Sequence, residues 1–259
     1  MRPPVEDAPA FTGPAGARER ASLVVTSFNI RTAVAPDGAR AWNRRRDLVV
    51  ERIRAANPDL LGLQECRQGG QADFLREALA DYEFFGVPRQ GAGDSALEMA
   101  PLLYRRGCFE ELGRGHFWLS ATPLLPGSLS WGADYPRTVA WVRLRPRQPG
   151  AMPLVFINTH FDYAGTAPEA SAGLLRGWLA DLEGAPALVV SGDFNAQRGS
   201  AAHATLTGAS RLRDALAEIG VEGGSFHDFG RAPAPEAIDW ILVSRHFQVL
   251  RGEIDTFHA

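Results

Sequence analysis

The sequence contains no lysine and only two cysteines, and none of its apolar stretches is long enough to cross a membrane. Cys66 and Cys108 are too few for a disulfide framework and lack the spacing of a metal site, so buried thiols are expected. Residues 1–20 carry acids and prolines where a signal peptide needs an apolar core, which predicts a disordered lead-in. A soluble, cytoplasmic protein is therefore expected.

Because lysine is absent, all 27 basic residues are arginines, and the formal net charge is −3. This balance argues against a broad, strongly basic nucleic-acid-binding surface, although it leaves room for a local basic groove. Arginine remains important for phosphate recognition, because its planar fork can pair with two oxygens at once.

The length of 259 residues fits one large α/β domain, with two smaller domains left open by length alone. Short apolar, β-branched runs predict buried strands at Leu23–Ile30, Leu60–Leu63, Pro101–Tyr104, Val139–Leu144, Leu154–Asn158, Ala187–Val190 and Ile238–Val243. Helical spacing of apolar residues predicts helices at Arg44–Ala56, at Ala72–Ala80, after Pro168 and, more weakly, at Arg211–Ile219. No repeat or linker interrupts this alternation, so one layered α/β domain over residues 21–259 is the interpretation.

Polar side chains collect at or near the ends of these strands. They are Asn29, Glu65, His160, Asp162, Asp193, Asn195 and Asp239. Each alone has an ordinary structural explanation: a turn cap, a solvated helix start, a structural histidine or a carboxylate that binds a backbone amide. Because strand ends are where open α/β sheets commonly bind ligands, the whole set predicts a functional site.

The stretch SGDFNAQRGS leaves a buried strand and presents Asp193 and Asn195. Residues two apart in an extended segment point the same way, so the two side chains should share a face. A charged acceptor beside a neutral amide suits an anionic substrate whose attacking water must be aligned without excess negative charge. A simple turn is the alternative, since Gly, Asp and Asn are common turn residues.

The blocks SFNIR, LLGLQE, Glu98 to Arg105, YPRTVAW, NTHFD, GDFNA and IDWILVS resemble the endonuclease/exonuclease/phosphatase family. These are metal-dependent phosphoesterases similar to deoxyribonuclease I, and the blocks follow the family's order from Thr26 to Ser244. The stretch FWLSATPLLPGSLSW further resembles a bacterial branch whose substrates are mostly unassigned. The resemblance implies a four-layer α/β sandwich, in which two mixed sheets pack face to face with helices outside.

The resemblance also implies a divalent cation, usually Mg²⁺ with Mn²⁺ as a second choice, held by Asn29 and Glu65. Hard oxygen ligands with open positions are what Mg²⁺ requires. By the same resemblance, Asp193 would orient or activate the attacking water and Asn195 would hold a phosphate oxygen. Arg137 would contact the phosphate.

His160 is implied to donate to the charge that develops on the phosphate during attack. Glu98 would stand behind it, hydrogen-bonded to the ring, fixing its tautomer and favouring imidazolium. The alternative for Glu98 is an exposed side chain in the segment QGAGDSALE. Asp239, from the Ile-Asp-Trp block, completes the implied catalytic set.

Two features depart from the family pattern. Tyr163 stands where a second histidine often follows Asp162, and the terminal Ser-Asp-His block is missing, because the sequence ends EIDTFHA. We therefore expect an incomplete C-terminus without the last strand, an unpaired edge along Leu23–Ile30 and reduced activity. Asp239 should find water, a backbone amide or a neighbouring side chain in place of its usual histidine. His258 is interpreted as a tail residue.

The leading functional hypothesis is a Mg²⁺-dependent phosphoesterase that hydrolyses a phosphodiester or phosphomonoester by attack of water. Nucleic acids, sugar or inositol phosphates and phospholipid head groups remain open as substrates. The near-neutral charge disfavours a duplex nuclease, because duplex affinity depends on many phosphate contacts. The alternative is a catalytically impaired binding or scaffold module on the same fold.

Overall fold

The computed structural model describes residues 22–91, 93–184, 186–208, 211–230 and 236–257, so the predicted lead-in at 1–20 and His258 lie outside it. The strands are β1 (Val25–Asn29), β2 (Leu60–Gln64), β3 (Cys66–Arg67), β4 (Tyr82–Phe85), β5 (Glu98–Met99), β6 (Leu102–Arg105), β7 (Phe109–Trp118), β8 (Thr138–Pro146), β9 (Leu154–His160), β10 (Ala187–Asp193), β11 (Leu212–Asp214) and β12 (Asp239–Ser244). The helices are α1 (Trp42–Ala56), α2 (Gly70–Ala78), α3 (Ala167–Ala180), α4 (Ala201–Thr207) and α5 (Ala215–Glu218).

The strands form two large mixed sheets. One has the order β1-β2-β6-β4 and the other the order β11-β12-β10-β9-β8-β7, while β3 and β5 make a separate short pair. In the first sheet β1 and β2 run parallel, and in the second β9 and β10 run parallel. Each of the seven strands predicted from the sequence is present.

Three apolar layers confirm the four-layer sandwich. Alternate residues of each strand face opposite sides, so Leu60 packs between the two sheets and Leu61 packs under α1 and α2. On the other sheet Val189 faces the space between the sheets, whereas Leu188 packs against α3. Strands buried on both faces read as continuous apolar runs, which is why the sequence identified them.

A buried polar bridge joins the two sheets just below the strand ends. The amide of Gln64 on β2 donates to Asn158 Oδ1 on β9 at 2.8 Å, and Asn158 Nδ2 donates to the carbonyls of Leu63 (2.8 Å) and Pro101 (2.9 Å). A Cβ at Gly62 would overlap the Asn158 side chain, so this close approach requires glycine. The bridge fixes the ends of β2 and β9 relative to each other.

Several elements were not predicted from the sequence, among them β4 and α4, and Cys108, expected to be buried, is exposed. The long strand β7 was not predicted, and the expected helix at Arg211–Ile219 is instead β11 followed by the single turn α5. Within the described residues, β1 has a strand neighbour on one side only, as expected for Leu23–Ile30. No helix in the described ranges has the length and apolar character needed to span a membrane.

Candidate active site

The polar strand ends meet at one rim of the sandwich, where β1 and β2 face β9 and β10. Asn29 closes β1, and its Nδ2 lies 3.0 Å from Glu65 Oε1 and 2.9 Å from Asp193 Oδ2. Asp193 is paired in register with His160 on the neighbouring parallel strand. Residues that are far apart in sequence are thus assembled as predicted, because parallel strands end at the same edge.

Glu65 is held in an unusual backbone conformation at the end of β2. Its φ of 57° lies in the left-handed region, which is uncommon for a residue other than glycine or asparagine and costs free energy. The Thr32 amide donates to Oε2 at 3.1 Å, and Arg31 Nη1 lies 3.8 Å from the same oxygen. These contacts direct the carboxylate of Glu65 toward Asn29 and Asp193.

The donor set at this rim fits a hard divalent cation. Carboxylate oxygens of Glu65 and Asp193 converge on the same amide, with no arginine hydrogen-bonded to Asp193 among the described residues. In the ranges that the structure covers, no three His, Cys, Asp or Glu side chains form a metal cage. Mg²⁺ does not need one, since it keeps several waters and takes one or two carboxylates together with substrate phosphate.

The Asn29 amide points its nitrogen, and not its oxygen, toward the two carboxylates. Its Oδ1 instead accepts a hydrogen bond from the Arg31 amide at 3.0 Å. Side-chain amides are oriented by their hydrogen-bond partners, so a cation between the carboxylates would favour the opposite orientation. Direct ligation by the Asn29 oxygen therefore stays a prediction.

The GDFN turn presents Asp193 and Asn195 to the rim. The Asn195 amide N–H donates to Asp193 Oδ1 at 3.0 Å, and its Nδ2 donates to the Phe161 carbonyl at 2.9 Å. Between them the ring of Phe194 stacks on Trp240, with centroids 4.2 Å apart and an interplanar angle of 13°. Burial raises the pKa of Asp193, although hydrogen bonds from Asn29 and Asn195 oppose this effect.

The partner of His160 differs from the prediction. Arg137 Nη1, not Glu98, lies 2.9 Å from His160 Nδ1, and Asn195 Nδ2 lies 3.1 Å from Nε2. Glu98 is neither bonded to the ring nor exposed: it is buried, with its carboxylate 3.1 Å from Arg89 Nη2. Both alternatives that the sequence suggested for Glu98 are therefore wrong, because the sequence did not reveal a competing arginine.

The protonation expected for His160 is also reversed. Burial, together with the charges of Arg137 and Arg89, lowers the pKa of His160 well below its ordinary value, so the ring is neutral. A guanidinium can only donate, which makes Nδ1 the acceptor and places the proton on Nε2. This nitrogen lies 3.1 Å from Asn195 Nδ2, which is also a donor, so the two do not form a hydrogen bond in this tautomer; Nε2 also lies 3.7 Å from Asp193 Oδ2. Neutral His160 thus presents an N–H donor at the rim.

Arg89 is a site residue that the sequence analysis missed. It lines a small cleft with Glu65, Glu98, Arg137 and His160. Its position is set by hydrogen bonds from its backbone to the Glu98 carbonyl (2.7 Å) and from its Nε to the Ser95 carbonyl (2.9 Å). Arg89 belongs to a loop and not to a strand end, so its sequence pattern carried no signal.

Asp162 organises the loop that precedes Arg137. Its carboxylate accepts hydrogen bonds from the amides of Asp134 (3.2 Å), Tyr135 (3.0 Å) and Ala164 (2.9 Å), and it lies 3.5 Å from Arg137 Nε. Asp162 therefore holds Arg137 against the site.

Asp239 lies opposite Asp193 in the antiparallel pairing of β12 with β10. Asp239 contacts Ser225 through its main chain, since its backbone N–H donates to Ser225 Oγ at 3.0 Å. Its buried Oδ1, however, has no hydrogen-bond partner among the residues that the structure describes. Burial and the charge of Asp193 raise the pKa of Asp239 well above 3.8.

Asp239→Asn should stabilise the protein when EDTA keeps it free of divalent cations. Between 3.8 and the raised folded-state pKa, the folded state binds more protons than the unfolded state, so stability falls as pH rises. The neutral amide removes this dependence. We expect a gain in unfolding free energy that is small near about pH 4 and reaches roughly 1–3 kcal/mol at about pH 8. Urea unfolding of wild type and variant at both pH values measures this gain. A difference in unfolding free energy that is the same at both pH values would contradict the raised pKa of Asp239.

Comparison with known proteins identifies the family to which this protein belongs. The model of the Endonuclease/Exonuclease/phosphatase family matches residues 26–258. The chain belongs to this family. Family membership supports a hydrolase that acts on phosphate esters, as the resemblance in sequence implied.

Solved structures of family members are similar over most of the chain. An endonuclease/exonuclease/phosphatase from Bacteroides vulgatus is 33% identical, with a TM-score of 0.80, covering 87% of this chain and 88% of that one. The mannosyl-6-phosphatase Bt3783 of Bacteroides thetaiotaomicron is 29% identical, with a TM-score of 0.78 and 86% of each chain covered.

A curated family relative matches over a short segment. The CCR4-Not complex 3'-5'-exoribonuclease subunit Ccr4 of Coccidioides immitis is 42% identical over 59 residues, which is 23% of this chain. The match spans only 8% of the length of that fungal protein. The similarity therefore concerns a short part of both proteins, and the activity of the whole fungal protein is not carried over to this chain.

Proposed function

We propose that this protein is a Mg²⁺-dependent phosphoesterase in which water attacks the phosphorus atom. The observation that carries the proposal is the convergence of Asn29, Glu65 and Asp193 within hydrogen-bond distance, beside His160 and Asn195. Phosphoryl transfer asks a protein mainly for positioning and for positive charge around the phosphate oxygens. Mg²⁺ held by Glu65 and Asn29 would supply Lewis-acid charge to those oxygens.

The side chains divide the remaining work. Asp193 aligns the attacking water and accepts its proton, a role that a raised pKa favours because the carboxylate is then a stronger base. His160, neutral with its proton on Nε2, donates to a non-bridging oxygen as charge builds up. Asn195 holds a phosphate oxygen, and Arg137 supplies positive charge to the phosphate while keeping the His160 tautomer.

Sugar phosphates lead the substrate candidates. The similarity to the mannosyl-6-phosphatase supports a phosphomonoester of this kind. The net charge of −3 disfavours duplex nucleic acid, as argued above. Inositol phosphates, single-stranded oligonucleotides and phospholipid head groups are the alternatives to test beside hexose 6-phosphates.

Removal of the divalent cation should abolish turnover. A panel of these esters is assayed for released phosphate with Mg²⁺, with Mn²⁺ and with EDTA. We expect hydrolysis with Mg²⁺, loss of at least about 10³-fold with EDTA, and recovery when excess Mg²⁺ is added back. Undiminished turnover in EDTA would refute the metal dependence. Binding of phosphate without turnover of any ester would instead favour a binding module on the same fold.

A further inference from the structure

The cleft contains two buried arginines, of which only Arg137 was expected. Arg89 and Arg137 are 5% and 6% exposed, and both stand against the ring of Tyr135, with their guanidinium carbons 4.7 Å and 5.5 Å from its centroid. Burial and the nearby charge of Arg137 lower the pKa of Arg89 to about 10. Two like charges brought together out of water are costly. Each guanidinium therefore needs an anionic partner, which Glu98 provides for Arg89 and Asp162 for Arg137.

Each arginine has one carboxylate partner and retains further N–H groups. Glu98 pairs with Arg89 at 3.1 Å, and Asp162 lies 3.5 Å from Arg137 Nε. That Nε atom is buried without a hydrogen-bond partner among the described residues. A guanidinium has five N–H donors, and one carboxylate cannot satisfy them all. The cleft that holds both groups also contains Glu65 and His160 of the proposed catalytic site.

We infer that Arg89, acting with Arg137, makes this site selective for a terminal phosphate, so that the enzyme hydrolyses phosphomonoesters in preference to phosphodiesters. The inference rests on the proposed function and specifies its substrate class. Arg89 would be a substrate-binding residue that contacts the phosphate directly.

The chemistry of the two ester classes carries this inference. A phosphomonoester has three acceptor oxygens and a charge near −2 at neutral pH, because its second pKa is about 6. A phosphodiester has only two non-bridging oxygens and a single negative charge. Where Arg137, His160, Asn195 and the cation engage two non-bridging oxygens, only a monoester has a third for Arg89. A second guanidinium also gains more from the more highly charged group.

A matched pair of substrates tests the selectivity. 4-Nitrophenyl phosphate and its ethyl ester release the same leaving group, so they differ only at the phosphate. Wild-type protein should prefer the monoester. Arg89→Met should lower kcat/KM for the monoester by about 100-fold and for the diester by less than about 10-fold. Arg145→Met, at a half-exposed surface pair with Glu110, is the control and should change neither value.

Two further variants protect the test against a folding defect. Arg89→Met leaves the buried Glu98 without its arginine, so the double variant with Glu98→Gln removes both charges together. Arg89→Lys keeps a positive charge without the planar fork and should fall between wild type and Arg89→Met for the monoester. Thermal melting establishes which variants are folded.

Direct binding gives a readout that does not depend on turnover. In calorimetry with Mg²⁺, inorganic phosphate should bind wild-type protein more tightly than dimethyl phosphate, and the difference should shrink about tenfold or more in the folded Arg89 variants. The inference is overturned if wild type shows no such difference or if the variants weaken both ligands equally. If the binding preference is found but no ester in the panel is hydrolysed, the proposed catalytic function fails while the anion site stands.

Discussion

Glu65→Gln is expected to abolish measurable Mg²⁺ binding and to lower kcat/KM by roughly 10³-fold. Glu65 Oε1 lies 3.0 Å from Asn29 Nδ2, which in turn lies 2.9 Å from Asp193 Oδ2, so the negative charge of Glu65 is half of what this rim offers a cation. Glutamine keeps the shape and can still accept from the Thr32 amide. Calorimetric titration with Mg²⁺ and initial rates measure the two effects.

Glu111→Gln is the matched control for this prediction. Glu111 lies on β7, away from the rim, and accepts a hydrogen bond from Tyr104 at 2.7 Å. Its loss should leave Mg²⁺ affinity and kcat/KM unchanged. Because Glu65→Gln removes one of the clustered negative charges, the melting temperature in EDTA should not fall. Normal Mg²⁺ affinity in a folded Glu65→Gln protein would show that the cation binds elsewhere.

The strand ends illustrate what the sequence could reveal about this site. Strands β2, β9 and β10 are buried on both faces, so they stand out as apolar runs, and the polar residue at each end is conspicuous. The parallel pairs then bring Asn29 close to Glu65 and His160 close to Asp193 without further information. Convergence at the rim follows from topology alone.

Strand β7 shows why part of the fold could not be predicted. It is the edge strand of the six-stranded sheet, and most of its middle residues are exposed or half-buried. Its sequence FEELGRGHFW contains two glycines and several charged residues, which are uncommon in strands. Pairing with β8 over nine positions overrides this local preference. An edge strand is defined by its neighbour more than by its own residues.

The side chains that contact His160 could not be predicted from the sequence for a different reason. Motif spacing indicated that a carboxylate and a histidine were near each other, but not which side chain would reach the ring. An arginine side chain is longer than a carboxylate side chain and can reach the ring first. Here Arg137 binds His160 Nδ1, and Arg89 pairs with Glu98. These choices depend on loop positions near Ser95 and Asp162, which no periodic pattern encodes.

Asp193→Asn is expected to lower kcat by about 10²–10⁴-fold with a much smaller change in KM. Asparagine preserves the size of the side chain and can still accept from the Asn195 amide, but it cannot take a proton from water. Substrate contacts from Asn195, His160 and Arg137 remain, so binding is largely retained. Initial rates across pH, with saturating Mg²⁺, separate kcat from KM.

Asp214→Asn distinguishes loss of a base from loss of a buried aspartate. Asp214 is 6% exposed, close to the 5% of Asp193. Burial acts to raise the pKa of Asp214, but hydrogen bonds from His203 and the Ala217 amide, with the charge of Arg198, lower it overall. Asp214→Asn should therefore reduce stability and leave kcat unchanged. Asp193→Asn should instead lower kcat without lowering stability in EDTA, because it removes the charge repulsion between Asp193 and Asp239. If Asp193→Asn keeps wild-type kcat, the attacking water is aligned by another residue, and the role assigned to the GDFN turn is wrong.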